Sequence, residues 1–146
     1  MKNQVLIIDD EQRTMATVRR LELIHDLSVD VADTPQDGLD KARNHEYKVI
    51  IFDIMMPIEP TLESKIKPSR MNNSHGLLTG LLLLKGLLEE PGKSKGFKGF
   101  FFSARNKNSL GDELAELGLR EGQEFMKFFR KPINTEIIYN GIKQFI

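Results

Sequence analysis

The chain has 146 residues, 21 basic and 21 acidic side chains, and no cysteine. This length suits one domain with a proper core, the balanced charge gives no electrostatic case for a nucleic-acid-binding protein, and the lack of cysteine excludes disulfides, thiol catalysis and cysteine-ligated metals. The N-terminal apolar run is too short for a signal peptide, and the longest apolar segment, 76–92, is shorter than a membrane span and interrupted by Lys85. We therefore expect a cytoplasmic protein that does not enter the membrane.

Apolar runs alternate with helix-length segments in the first part of the chain. The run "QVLIID" (Gln4–Asp9) is continuous and rich in β-branched residues, which predicts a strand covered on both faces. Two more strands are predicted over 27–33 and 47–53, each preceded by a helix. The second helix has a clear start signal, because Thr34 is a suitable N-cap and Pro35 takes the first helical position.

The second part of the chain continues this alternation. A leucine-rich helix over 76–90 ends at Pro91-Gly92, and strands are predicted over 97–103 and 124–129. Helices with apolar stripes are predicted between these strands and at the C-terminus. Strands that alternate with helices in this way predict an α/β fold, an open parallel sheet with helices on both faces.

Several polar side chains come at the ends of the predicted strands. Asp9 and Asp10 end the first strand, Asp53 ends the third, Ser103 ends the fourth, and Lys131 follows the fifth. In open parallel sheets, ligands bind outside the carboxyl ends of the strands, so we expect these side chains to share one crevice. A buried carboxylate there costs free energy unless something binds it.

The residue types in this crevice predict a magnesium-dependent phosphoryl acceptor. Two carboxylates about 4 Å apart repel by about 4 kcal/mol near a protein surface, so three together need a cation. Oxygen ligands with no histidine or cysteine nearby favour Mg²⁺, and a carboxylate can act as a nucleophile toward phosphorus. We assign Asp53 as the acceptor and a metal ligand, Asp9 and Asp10 as further metal ligands, and Lys131 and Ser103 as partners of the phosphoryl oxygens.

Four motifs at strand ends resemble the response-regulator receiver domains of two-component signalling. They are the acidic-pair strand "VLIIDDE", the phosphoacceptor strand "VIIFDIMMP", the strand "FFFSAR" and the lysine–proline pair of "FFRKP". The resemblance implies a flavodoxin-like, doubly wound (βα)5 fold with strand order 2-1-3-4-5. It also implies phosphotransfer to Asp53 from a sensor histidine kinase or a histidine phosphotransfer protein. Because no chain is left for an output domain, we expect the single-domain form, which signals to a downstream protein or relays the phosphoryl group.

The resemblance further implies a backbone metal ligand and a conformational switch. The carbonyl of Met55 would be the third protein ligand to the metal. Phosphorylation would draw Ser103 toward the phosphoryl group, and Phe128, three residues before Lys131, would rotate inward and change the surface that a partner reads. This aromatic residue lacks the hydroxyl that many family members have.

One segment departs from both the alternation and the family pattern. Residues 58–75 contain two prolines and no sustained periodicity, whereas such connections usually take about 2–6 residues. We interpret the segment as an insertion in a single receiver domain spanning 1–146. It is either a disordered excursion, or Lys65, Lys67 or Arg70 folds over the site and alters access of the kinase or the lifetime of the phosphoryl group.

The helix after the insertion has eight leucines over 77–88, more than one helix face can bury. A core helix with a wide apolar stripe is the simpler interpretation, and a homodimer or partner surface is the alternative. Gly80 and Gly86 each lower helix propensity by about 1 kcal/mol, which suggests that another backbone approaches closely.

Three classes of function remain open at this point. The first is a phosphorylation-switched signalling protein rather than a turnover enzyme. The second is a degenerate receiver that binds a partner constitutively, which the complete set of site residues argues against. The third is an aspartyl-nucleophile phosphohydrolase, which would need a second acid two residues after Asp53, where this chain has Met55.

Overall fold

A five-stranded parallel sheet forms the centre of the molecule. The structure, a computed structural model, describes residues 4–67, 71, 73 and 76–146. The strand order is β2-β1-β3-β4-β5, as expected for the flavodoxin-like fold. The strands are β1 (Val5–Ile8), β2 (Val29–Ala32), β3 (Val49–Asp53), β4 (Lys98–Ser103) and β5 (Lys127–Arg130).

Helices cover both faces of this sheet. Those in the described ranges are α1 (Thr14–His25), α2 (Pro35–Asn44), α3 (Pro60–Ile66), α4 (Thr79–Glu89), α5 (Gly111–Leu117) and α6 (Thr135–Ile142). Helices α1 and α6 pack on one face, while α2, α4 and α5 pack on the other. None of the helices described combines the length and the apolarity that a membrane crossing requires.

Two interior strands, β1 and β3, are buried along their whole length, as their continuous apolar sequences predicted. Every residue of β1 and β3 is buried. Successive side chains point to opposite faces of a strand, so Leu6 and Ile8 join the core under α2 and α4, while Val5 and Ile7 join the core under α1 and α6. This double cover holds the carboxyl ends of β1 and β3 firmly side by side.

The predicted start of α2 is confirmed, whereas α4 begins at Thr79, three residues later than predicted. Thr34 caps α2 as predicted, since its hydroxyl accepts a hydrogen bond from the Asp37 amide at 3.1 Å. Strand β5 begins at Lys127, three residues later than the predicted start. The reason is a turn before it, in which the Gly122 amide donates to the Phe125 carbonyl at 2.7 Å.

The insertion contains helix α3, so the expectation of a disordered excursion is wrong for the part that the structure describes. Pro60 takes the first helical position, Leu62 is buried, and Ile66, one turn later, is partly buried against the same core as α4. A helix of seven residues is too short for its apolar spacing to be recognised in the sequence. It packs against α4.

Neither described lysine of the insertion forms the predicted lid. Lys65 is exposed, and the Lys67 ammonium donates to the Met71 carbonyl at 2.8 Å. The cleft at Asp53 is lined by neither of them. Arg70, the third candidate, lies outside the described residues.

Helix α4 is a core helix, which confirms the simpler interpretation of its leucines. It is covered by the sheet and by α3, and the side chain with most exposure among its leucines is Leu88, at 39%. The buried leucines of this segment are Leu78, Leu81, Leu82, Leu83, Leu84 and Leu87. A homodimer therefore stays a prediction, and these leucines do not supply its surface.

Gly80 brings α4 directly onto the backbone next to Asp53, as expected for a close approach. A Cβ at this position would collide with the Asp53 carbonyl and with Ile54. Gly86 has a different neighbour, because a Cβ there would lie 3.4 Å from the side chain of Ile66.

We expect Gly80→Ala to lower the free energy of unfolding by about 1–3 kcal/mol, because the added methyl group meets immobile backbone. This loss outweighs the helix propensity of alanine, which favours it by about 1 kcal/mol. Urea denaturation measures the change. Gly111→Ala is the matched control, since Gly111 opens α5 with helical dihedral angles and has open space around a Cβ. Equal stability of the two variants would contradict the close approach.

Candidate functional site

Three carboxylates meet at the carboxyl edge of the sheet. Ile8 pairs with Phe52 in the parallel register, so the next residues, Asp9 and Asp53, lie beside each other. One oxygen from each of Asp9, Asp10 and Asp53 lies within 4.8 Å of the others. Asp9 and Asp53 are each only 2% exposed, while Asp10 is exposed. The strand ends thus bring together the three acids that the sequence placed there.

Lys131 reaches into this cluster from the segment after β5. Its ammonium nitrogen lies 3.2 Å from Asp53 Oδ1, 3.7 Å from Asp9 Oδ2 and 2.7 Å from Glu11 Oε1. Its backbone amide donates to the Ser103 carbonyl at 2.9 Å, and the peptide bond to Pro132 is cis. The pairing with Glu11 was not foreseen, although Glu11 directly follows the acidic pair.

Lys131 is a stable positive charge in this cluster. Burial lowers its pKa, but the hydrogen bond to Glu11 and the charges of Asp53 and Asp9 outweigh burial, so the pKa of Lys131 lies above its ordinary value. The same hydrogen bond lowers the pKa of Glu11. Both partners are therefore ionised at neutral pH.

The positive charge of Lys131 is not sufficient to keep the pKa of Asp53 at its ordinary value. Burial, and then the neighbouring charge of Asp9, raise the pKa of Asp53 to about 7, although Lys131 acts in the opposite direction. Burial also raises the pKa of Asp10, against the effect of a backbone hydrogen bond. Asp53 Oδ2 is buried and has no hydrogen-bond partner among the residues that the structure describes.

These features fit a hard divalent cation. The converging donors are oxygens alone, which Mg²⁺ and Ca²⁺ prefer. The unpartnered Asp53 Oδ2 offers a lone pair that a cation would occupy. Burial and the charge of Asp9 raise the pKa of Asp53, and a bound cation would favour its ionised form.

Asp9 is held in place at both of its oxygens. The hydroxyl of Thr14, the first residue of α1, donates to Asp9 Oδ2 at 2.7 Å, and the Glu11 amide donates to Asp9 Oδ1 at 2.9 Å. Thr14 was not among the predicted site residues. A threonine at a helix start is common, and only the fold shows that this one is 2% exposed and faces a carboxylate.

Two of the remaining predicted residues, Ser103 and Met55, line one cleft of about 280 Å³. Ser103 lines it beside Asp53, and its hydroxyl accepts from the Arg105 amide and donates to the Arg105 carbonyl, each at 3.0 Å. The Met55 side chain also lines the cleft and is 47% exposed.

Phe128 lies on β5 and is half-buried, and it does not line the cleft. Its ring centre is 5.2 Å from that of Phe101 and 5.1 Å from that of Phe125. The ring thus already packs against the core in this structure. Its movement together with Ser103, and the metal-ligand role of the Met55 carbonyl, stay predictions.

The architecture is close to that of solved signalling proteins. The chemotaxis protein CheY4 of Vibrio cholerae superposes over 100% of both chains with a TM-score of 0.70 and 18% sequence identity. The chain has the CheY-like receiver fold. A second receiver-fold structure is a response regulator from Burkholderia pseudomallei with a phosphorylated aspartic acid, a calcium ion and citrate. It matches with a TM-score of 0.62 and 16% identity, over 96% of this chain and 66% of that one.

Sequence comparison points to the same group of proteins. The response regulator ArlR of Staphylococcus aureus is 49% identical over 55 residues, which is 37% of this chain. The matched segment amounts to 25% of the length of ArlR, so this chain corresponds to only a part of such relatives. No family model matches the chain. The resemblance to response-regulator receivers that the four motifs indicated is confirmed.

Proposed function

We propose that this receiver-fold chain accepts a phosphoryl group on Asp53 in a Mg²⁺-dependent reaction and passes the signal to a protein partner. The donor would be a phosphohistidine on a sensor kinase or a phosphotransfer protein. The observation that carries this proposal is the meeting of Asp9, Asp10 and Asp53 with Lys131 at one edge of the sheet, where a buried oxygen of Asp53 has no partner among the described residues.

Asp53 would act as the nucleophile. One of its carboxylate oxygens forms a bond to phosphorus while the bond from phosphorus to the donor nitrogen breaks, and the electron pair of that bond stays on the imidazole. Asp53 must be ionised to attack, whereas burial favours its protonated form. Lys131, 3.2 Å from Asp53 Oδ1, favours the ionised form and would then pair with a phosphoryl oxygen.

The metal site would be formed by the three acids. Asp9, Asp10 and Asp53 would hold the ion together with the backbone carbonyl of Met55. When bound, Mg²⁺ neutralises charge on the phosphoryl oxygens. The hydrogen bond from Thr14 would keep Asp9 oriented toward the ion.

The output would depend on the charge that phosphorylation brings, about −1.5 to −2. Ser103 would turn from the Arg105 backbone toward the phosphoryl group, and Phe128 would pack deeper beside Phe101. These changes alter the surface formed by α5, β5 and α6, which a downstream protein would read.

Incubation with acetyl phosphate and Mg²⁺ tests the proposal. We expect intact mass to show one added phosphoryl group and peptide mapping to place it on Asp53, because this carboxylate alone has a free buried oxygen among the described residues. Asp53→Asn should remain unmodified, and EDTA should prevent the reaction. Sustained hydrolysis of small phosphate esters would favour the phosphohydrolase instead. No change with acetyl phosphate or beryllofluoride would favour the constitutive binding module.

A further inference from the structure

The loop that follows Asp53 is held at three points by Gly76 and by the first two residues of α4, Thr79 and Gly80. The Gly80 amide donates to the Ile54 carbonyl at 2.9 Å, and the Met56 amide donates to the Gly76 carbonyl at 3.1 Å. The third contact comes from a side chain, since the Thr79 hydroxyl donates to the Met56 carbonyl at 2.6 Å. Met55, whose carbonyl is the proposed metal ligand, lies between the two residues that are held.

Thr79 is connected in turn to the insertion. Its hydroxyl accepts from the side-chain amide of Asn73 at 3.3 Å, and the same amide nitrogen lies 3.3 Å from Glu63 Oε2 on α3. The Asn73 side-chain oxygen accepts from the Leu78 amide at 2.6 Å. A continuous series of hydrogen bonds therefore runs from α3, through Asn73 and Thr79, to the loop beside Asp53.

Thr79 and Asn73 are polar residues buried beside the apolar core. Thr79 is fully buried and Asn73 is 6% exposed, and Thr79 opens a helix in which six of the eleven residues are leucine. Polar groups buried in an apolar core cost free energy unless they are hydrogen-bonded. The hydrogen bond that the Leu78 amide donates to the Asn73 side chain holds the residue directly before α4. This contact does not explain the Thr79 hydroxyl, which lies 3.3 Å from the Gly76 carbonyl before the helix but makes its shorter hydrogen bond, at 2.6 Å, to the Met56 carbonyl of the loop.

We propose that Thr79 and Asn73 are positioning residues, which hold the Ile54–Met56 loop so that the Met55 carbonyl faces the metal, and that Glu63 ties this arrangement to α3. The insertion then acts on the site through the backbone rather than as a lid. The inference rests on the proposed function, because it takes the loop to be part of a metal site.

Thr79→Val tests the inference, since valine has nearly the shape of threonine and carries a methyl group in place of the hydroxyl. Mg²⁺ affinity measured by calorimetry should fall about tenfold, as is typical when a group supporting a metal ligand is lost. Thr79→Ser keeps the hydroxyl and should bind Mg²⁺ as the original protein does. Glu63→Ala, on the partly exposed α3, is a variant with little risk of unfolding and should weaken binding by a smaller factor.

Ser94→Ala is the matched control for the loss of a buried hydroxyl. Ser94 is fully buried, its hydroxyl donates to the Ala42 carbonyl at 2.6 Å, and it accepts from the Tyr47 amide at 3.1 Å. Tyr47 precedes β3, so these bonds lie at the opposite edge of the sheet from Asp53. This variant should lose stability and keep its Mg²⁺ affinity.

Amide hydrogen exchange separates failure of this inference from failure of the proposed function. Exchange in the peptide spanning 53–58 should accelerate in Thr79→Val and stay unchanged in Thr79→Ser and Ser94→Ala. Unchanged exchange in Thr79→Val overturns the positioning role. Faster exchange with unchanged Mg²⁺ affinity overturns the link to the metal. Absence of Mg²⁺ binding by the original protein overturns both the link and the proposed function.

Discussion

Replacement of Lys131 by methionine is expected to slow phosphorylation of Asp53 by acetyl phosphate by about 10²–10³-fold. Methionine is of similar length but carries no charge, so the phosphoryl oxygens lose the ammonium group that lies 3.2 Å from Asp53 Oδ1. Mg²⁺ affinity should not fall, because the substitution removes a positive charge from the metal site. A time course of intact mass measures the rate, and calorimetry measures the affinity.

The same substitution should destabilise the metal-free protein by about 3–5 kcal/mol, since it leaves buried carboxylates without their cation. Saturating Mg²⁺ should restore much of this loss. Lys107→Met is the matched control, because Lys107 pairs with Glu121 at the surface, where an ion pair contributes about 0–1 kcal/mol. Phosphorylation of Lys131→Met at the original rate would contradict the role of Lys131.

Asp53→Asn should stabilise the metal-free protein at pH 8 by about 2–4 kcal/mol. At this pH the carboxylate of the folded protein is ionised although it is buried and beside Asp9, which raises its pKa to about 7. Asparagine has nearly the same shape and carries no charge. Urea denaturation at several pH values, in EDTA, measures the difference.

The sign of the pH dependence follows from proton binding. Between about pH 4, the unfolded pKa, and pH 7, the folded protein binds more protons at Asp53 than the unfolded chain does. The contribution of this group to stability is therefore complete below about pH 4 and is lost as the pH rises through 7. The advantage of Asp53→Asn should grow over this range, remain constant above it, and reverse when Mg²⁺ is added.

Asp33→Asn is the control for this experiment. Asp33 follows β2 at the same edge of the sheet but is exposed, so its replacement should change stability by no more than about 0.5 kcal/mol at any pH. Identical pH profiles for Asp53→Asn and the original protein would show that Asp53 is not destabilised by its surroundings.

The carboxyl-edge acids were predictable because they depend on local pattern and one topological rule. A continuous apolar run marks a strand buried on both faces, and the residue after it must lie at the edge of the sheet. Asp9 and Asp53 follow such runs, and the parallel register of β1 and β3 then places them side by side. The same reasoning applied to Lys131, although its strand begins later than the pattern suggested.

The supporting contacts could not be predicted in the same way. Glu11, Thr14 and Thr79 are ordinary residues by their position in the sequence, and each acquires its role from a partner on another element. Helix α3 gave no signal because seven residues present only two apolar positions on one face, Leu62 and Ile66. The excess of leucine in α4 was evident from the sequence, but α3, which packs against α4, was not.

The sequence alone determined the order of the strands and of the helices other than α3, the receiver-like motifs, and the acids and lysine at the strand ends. Hydrophobic periodicity and strand termini are properties of neighbouring residues. Only the tertiary structure decided that Lys131 pairs with Glu11 as well as with Asp53, that the insertion packs on α4, and that Thr79 holds the loop beside Asp53. These contacts join residues far apart in the chain, and their geometry exists only once the core has packed.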